Sequence, residues 1–208
     1  VGSTTALVNL MTNLFLGLST GANVLSAHYM GAGDDARVSK TVHTSITLSI
    51  ISGLIMTFVG VIFADKLLAL MDTPDEVIDL STLYLRIYFA GMIAMMVYNF
   101  GSSLLRSKGD TKRPLYYLAF SGVINVVLNL IFVILFKMDV AGVALATVIS
   151  QCVSALLVVR CLMKENDGFK LILKKLSIDK HIMVKILRIG IPAGFQGVVG
   201  IHQQGAVL

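Results

Sequence analysis

Charge is what this sequence has least of. Of 208 residues, 14% are Asp, Glu, Lys or Arg while 56% are hydrophobic, and the mean hydropathy is +0.83. Soluble domains carry about 25% charge, so the bilayer has to be considered before any aqueous fold. Asp, Glu, Lys and Arg are absent from residues 1–33, 41–64, 87–105, 114–136, 140–159 and 189–208. A membrane helix needs about 20 apolar residues, and soluble cores do not repeat such runs six times. The runs also lack the alternation of barrel strands, so intrasegment hydrogen bonding selects α-helices. The expected fold is all-α, a polytopic membrane helix bundle with about six transmembrane helices.

Other absences narrow the function. The two cysteines, Cys152 and Cys161, stand nine residues apart, on opposite faces of one helix, and neither bridge each other nor form a metal signature. No GxxxxGK[ST] phosphate loop occurs. The basic stretches lack interleaved aromatics or a folded basic module, which argues against nucleic acid despite a pI near 9.3. No cleavable signal pattern is visible; the chain opens on Val and stops within an apolar run, which predicts a piece of a longer protein. No carboxylate lies in any of the six runs, so an ion-coupling acid is expected outside this stretch. No cofactor or metal is expected.

The charge that is present is sorted by side. Arg37 and Lys40 follow the first run; Arg106, Lys108, Lys112 and Arg113 follow the third; Arg160, Lys164, Lys170, Lys174, Lys175, Lys180, Lys185 and Arg188 follow the fifth. Fourteen of the seventeen basic residues thus fall on one side. The other side has Lys66, Arg86 and Lys137 with Asp65, Asp72, Asp75, Glu76, Asp79 and Asp139. This alternation is the positive-inside pattern, and it predicts that loops 34–40, 106–113 and 160–188 are cytoplasmic in a multi-pass inner-membrane protein.

Two of those loops echo each other. "GDDAR" at 33–37 and "GDTKR" at 109–113 share Gly-Asp-x-x-Arg between an exiting and a returning helix. Gly suits a left-handed helix end, Asp accepts first-turn amides, and Pro114 suits an opening turn. Two readings stay open: a pair of similar turns, or Asp34, Arg37, Asp110 and Arg113 as parts of a gating ion-pair network. On the acidic side, Thr73-Pro74-Asp75-Glu76 reads as a helix start with Thr as cap and Pro first. In the long basic connection, residues 180–188 put Ile182, Met183, Ile186 and Leu187 on one side, which predicts a helix lying on the inner membrane surface.

Small residues recur every four positions, at Gly17 and Gly21; Ser45, Ser49, Gly53 and Thr57; Gly142, Ala146, Ser150 and Ser154; and Gly190 and Gly194. Such lines let helix backbones approach closely. Amides are more informative. Asn9 and Asn13 share one helix face, as do Asn125 and Asn129, and Asn99, Gln151 and Gln196 lie within other runs. They serve either interhelical hydrogen bonds or a polar substrate cavity. Met92 and Met95 suit an adaptable apolar surface, or plain packing. His28 and His43 sit near the cytoplasmic ends and His202 in the last run; with Asp34 and Asp35, the first two are the candidate set for a membrane enzyme, though without metal-ligand spacing.

Five segments in order, "AHYMGAGDDARVSKTVHTS" (27–45), "LLRSKGDTKRPLYY" (104–117), "NVVLNLIFVILF" (125–136), "AGVALATVISQ" (141–151) and "ILRIGIPAGFQ" (186–196), resemble the multidrug and toxic compound extrusion (MATE) transporters. The resemblance implies twelve helices in two six-helix lobes, of which this chain resembles helices two to seven. It divides the chain into most of the amino-terminal lobe (1–163), an interlobe link (164–188) and the first helix of the second lobe (189–208). It also implies export of cationic or amphipathic compounds in exchange for protons or sodium, by alternating access, with the remaining helices and the lipid bilayer as partners. Asn125 and Asn129 match the family's NxxLD segment, with Asn129 where many members have an ionisable Asp; Gln196 matches a polar position on the seventh helix. The substrate-cavity candidates are therefore Asn125, Asn129, Gln151, Gln196, Asn9, Asn13, Asn99, Met92 and Met95. The rival readings are a lipid-linked sugar flippase of the wider superfamily, whose cavity would be rich in Arg and Lys, and a membrane-embedded enzyme.

Overall fold

A computed structural model describes residues 2–205, with side chains for residues 10–197 and 199. Among the described residues there are seven α-helices and no strand: α1 Gly2–Gly31, α2 Asp35–Leu70, α3 Asp75–Ala90, α4 Met92–Ser107, α5 Lys112–Leu130, α6 Asp139–Met163 and α7 Lys180–Gly205. A π-turn, Ile131–Leu135, continues α5. Three helical segments, α2, Lys112–Leu135 and α6, are long and apolar enough to cross a membrane, and α3 with α4 makes a fourth, bent by 40°. At 1.5 Å per residue, α1 and α7 have 30 and 26 residues and so reach about 45 and 39 Å, enough to span. They pack on one another.

The two Gly-Asp elbows are built alike. Gly33 (φ +69°) and Gly109 (φ +91°) take the left-handed conformation that a side chain would resist. Asp34 and Asp110 each accept a hydrogen bond from the amide three residues on, of Arg37 and Arg113, both at 3.1 Å. Those bonds satisfy free N–H groups of the first turn of α2 and of α5.

Three expectations change at the helix ends. The third run is not one straight helix, because the chain breaks at Gly91. Pro74, rather than Thr73, takes the cap position of α3, without a side-chain cap bond. The stretch 180–188 is not a separate surface helix: it is the start of α7, with Ile182 and Ile186 fully packed. Its apolar face has a protein partner in α1, so it does not need the lipid surface.

The core centres on α4, whose residues from Met96 to Leu105 are buried except Asn99. Phe100, Leu104 and Leu105 join Val42 and Ile46 of α2, Val158 and Leu162 of α6, and Ile186 of α7. The outward face of α5 is bare: Leu115, Leu118, Val123, Val126 and Leu130 are each about half or more exposed. An apolar face of that length belongs against lipid or further helices.

Candidate functional site

The amides do not converge on one point. Between α5 and α6, Asn125 Nδ2 donates to Ser150 Oγ at 3.1 Å and to Thr147 Oγ1 at 3.4 Å, and Asn129 Nδ2 donates to Asn125 Oδ1 at 2.6 Å. Asn129 Oδ1 is buried without a described partner. The cluster is a ladder of neutral oxygens and amides at mid-helix. Gln151 lies one residue beyond Ser150 and turns toward another element: a Cβ on Gly91 would stand 3.0 Å from its Oε1, so it abuts the α3–α4 break. Asn99 donates to the carbonyl of Met95, one turn back on its own helix.

Other candidates fall elsewhere. Met92 is buried and Met95 partly so, in an apolar cluster with Met56, Phe89 and Met96. Beside it is a cavity of about 290 Å³ whose lining includes Met11, Met56, Val59, Gly60, Phe63, Phe89 and Lys66. Asn13 lies on the α1 side that meets α7, where a Cβ on Gly197 would be 3.8 Å from its Oδ1. Gln196 is exposed on α7. The side chains of Asn9 and His202 lie outside the described residues.

On the basic side, charged groups do converge. Arg113 pairs with Asp110 on its own turn and reaches Glu165 Oε1 with Nη2 at 2.7 Å. Lys108 pairs with both Glu165 and Asp167, and its ammonium stands 5.6 Å from the centre of the Phe169 ring. Glu165 is buried, and two cations divide its oxygens. Desolvation pushes the Asp110 carboxyl up, but hydrogen bonds from Arg113 outweigh it and leave the group below the usual carboxylate range. The same opposition, with Lys108 as donor, lowers Asp167. Desolvation favours the neutral amine of Lys108, and its two carboxylates reverse this, leaving it above the ordinary lysine value.

The first elbow is tied to the same connection by different means. Arg37 stays with Asp34, at 3.4 Å, while Lys40 stands 3.7 Å from Asp179. The Ile172 amide donates to His43 Nε2 at 3.1 Å, and His43 Nδ1 lies 2.7 Å from the Ser39 carbonyl, so the ring is held as the tautomer with its proton on Nδ1. The Asp179 amide donates to Thr44 Oγ1 at 3.1 Å. Among the described residues, no three His, Cys, Asp or Glu side chains form a metal-binding group.

Of the gating candidates, Asp110 and Arg113 enter a network that reaches the start of the connection at Glu165 and Asp167, whereas Asp34 and Arg37 pair with each other. Glu165, Asp167, Asp179, Lys40 and Lys108 complete the ties. Reading the connection as uniformly basic hides its acids, although "KENDGFK" at 164–170 interrupts that basic run visibly.

A polytopic helical membrane bundle with these elbows has known counterparts. The MatE family model matches residues 1–131. The chain belongs to the MatE family. It is 34% identical over 191 residues to the probable multidrug resistance protein YoeA of Bacillus subtilis, covering 88% of this chain and 41% of that protein. Its fold superposes on an inward-facing multidrug resistance MATE transporter of the MOP superfamily with a TM-score of 0.82, and on an outward-facing one with 0.81. Both are 28% identical and cover 91% of this chain, with 43% and 42% of their own chains matched. The chain thus spans about two-fifths of the length of the relatives it matches.

Proposed function

We propose that this chain forms most of the first lobe, the interlobe link and the first helix of the second lobe of an exporter. The whole protein expels cationic or amphipathic compounds in exchange for sodium or protons. The observation that carries the reading is the near-equal similarity to inward-facing and outward-facing transporters over 91% of the chain. A lobe that keeps one internal structure while access switches from side to side has this property. The basic loops face the cytoplasm, and the protein resides in the plasma membrane as a multi-pass unit.

Within this lobe, Asn125 and Asn129 with Thr147 and Ser150 form the polar site that a cargo or coupling ion meets. Oxygens suit a hard cation, and amides and hydroxyls do not take up a proton at neutral pH. Asn129 Oδ1, buried without a described partner, supports an ion or polar group at that position. The cluster therefore favours sodium over protons as the ion bound here. Gln151 on α6, Asn99, Met92 and Met95 on α4, and Asn13 and Gln196 on the α1 and α7 side are further cavity candidates.

The test uses the full-length protein in inverted membrane vesicles with a fluorescent cationic dye outside. Uptake under an imposed ion gradient, abolished when that gradient is collapsed, upholds an antiporter. Absence of uptake by folded protein under either gradient shifts the assignment to the flippase reading.

A further inference from the structure

We infer that residues 170–180, the outer part of the basic connection, form a docking surface for anionic phospholipid of the cytoplasmic leaflet. Lys170, Lys174, Lys175 and Lys180 meet the headgroups, Ile172, Leu173 and Ile178 enter the boundary beneath them, and the bare side of α2 takes the acyl chain. The inference rests on the cytoplasmic position of this connection and is independent of what the whole protein exports.

The charge left open on this stretch is of one sign. The acids of the connection are already engaged: Glu165 and Asp167 by Lys108 and Arg113, and Asp179 by Lys40. Asp179 Oδ1 also accepts from the amides of His181 and Ile182 at 3.0 and 3.1 Å. Lys170, Lys174, Lys175 and Lys180 are exposed, and among the described residues none of the four has an ion pair. A basic residue close to an anionic membrane surface contributes about a fivefold preference for it.

Between these lysines the chain exposes aliphatic side chains. Ile172, Leu173 and Ile178 are 36%, 50% and 37% exposed, and Leu173 shares one short 3-10 turn with Lys174 and Lys175. In water such residues gain nothing. At the headgroup boundary, cations facing phosphate and aliphatics facing the acyl region are the combination that binds.

The connection also lies at the matching depth. The charge-free part of α2 begins at residue 41, and His43 and Thr44 accept from the amides of Ile172 and Asp179, both at 3.1 Å. At 1.5 Å per residue, both ends of 172–179 are therefore held within about 5 Å of the start of the apolar run, which is headgroup level. Farther along, the same side of α2 opens: Thr47 and Ile50 are half-buried, and Ile51, Leu54 and Phe58 are exposed. The hydrocarbon of one leaflet, half of about 30 Å, matches the rise from Thr44 to Leu54. A lipid with its phosphate at the lysines lays its chain along a face that the described residues leave uncovered.

The test uses the full-length protein in a cysteine-free background, in lipid nanodiscs, with a bimane label attached through Ser177→Cys, an exposed position. Quenching by brominated phosphatidylglycerol and by brominated phosphatidylcholine, across mixtures of the two, gives the relative association constant of anionic over neutral lipid. The expected constant is severalfold above one at low ionic strength and falls to near one in Lys174→Gln/Lys175→Gln. It stays unchanged in Lys112→Gln/Arg160→Gln, which removes the same charge from exposed positions on α5 and α6. A constant near one in the parent, an equal fall in the control pair, or quenching by neither lipid overturns the inference. Displacement of the anionic lipid by millimolar inorganic phosphate also overturns it, because the lysines would then serve a soluble anion.

Discussion

Replacing Glu165 with Ala isolates the contact that holds the connection to the second elbow. The carboxylate is 9% exposed and takes Arg113 Nη2 at 2.7 Å together with Lys108. Breaking a buried ion pair costs about 3–5 kcal/mol when a charge is left stranded. Neither cation is stranded here: Lys108 keeps Asp167, Arg113 keeps Asp110, and the two are 27% and 42% exposed, so water reaches both. The loss is then that of charge-assisted hydrogen bonds, about 1.5–3 kcal/mol each before rehydration, and we expect about 2 kcal/mol in all. Glu165→Gln keeps one acceptor and should cost about half as much. Asp65→Asn is the control, since its pair with Arg86 is 63% and 46% exposed and such pairs contribute about 0–1 kcal/mol. Denaturant unfolding of the purified full-length protein, run as a double-mutant cycle with Arg113→Ala, gives the coupling directly. A coupling below about 0.5 kcal/mol, the level of an exposed pair, would refute the reasoning.

The remaining expectations concern the α1–α7 contact, the polar cluster and pH. Gly190→Ala should separate α1 from α7 and sharply reduce dye uptake, whereas Gly122→Ala, with open space around its Cβ, should leave uptake unchanged and stabilise α5 by about 0.5–1 kcal/mol; equal effects would contradict the packing account. Asn129→Asp places a proton-binding group in the ladder, so uptake should acquire a pH dependence between about 5 and 8 that the parent lacks; superimposable profiles would remove the cluster from the coupling path. Asp110 and Asp167 titrate below their unfolded values, so their stabilisation is present above about pH 4 and is lost as pH falls through the lower folded values. Lys108 titrates above its unfolded value, so its contribution is complete below about pH 10 and disappears as pH rises through the folded one. The stability difference between parent and Glu165→Ala should thus stay flat from pH 5 to 9, and a slope in that window would contradict the assignment.

How much of this could be read from residues alone follows from which interactions are local. The charge-free runs and the Gly-Asp turns concern neighbours in the chain, and both became helices and capped elbows. Helix ends were less legible: Asp65 and Lys66 looked like a stop, yet α2 continues to Leu70 because a helix leaving the membrane can carry charge along its last turns. The break at Gly91 has no proline to announce it. The glycine lines on 17–21 and 190–194 were visible as close-packing faces, but nothing in the sequence says that they face each other across about 170 positions. Asn125 and Asn129 were readable as one face, whereas their partners Thr147 and Ser150 required the pairing of α5 with α6. Glu165 escaped notice because one acid among many lysines looks solvated until the fold buries it.

The most direct test of the account is dye uptake by inverted vesicles loaded with sodium, at equal pH on both sides, comparing the full-length parent with Asn125→Ala and Asn129→Ala. The account predicts that the outward sodium gradient drives uptake by the parent, that collapsing the gradient stops it, and that both variants lose it while remaining folded. Uptake by the parent under a proton gradient alone, unaffected by sodium and unchanged in both variants, would contradict it.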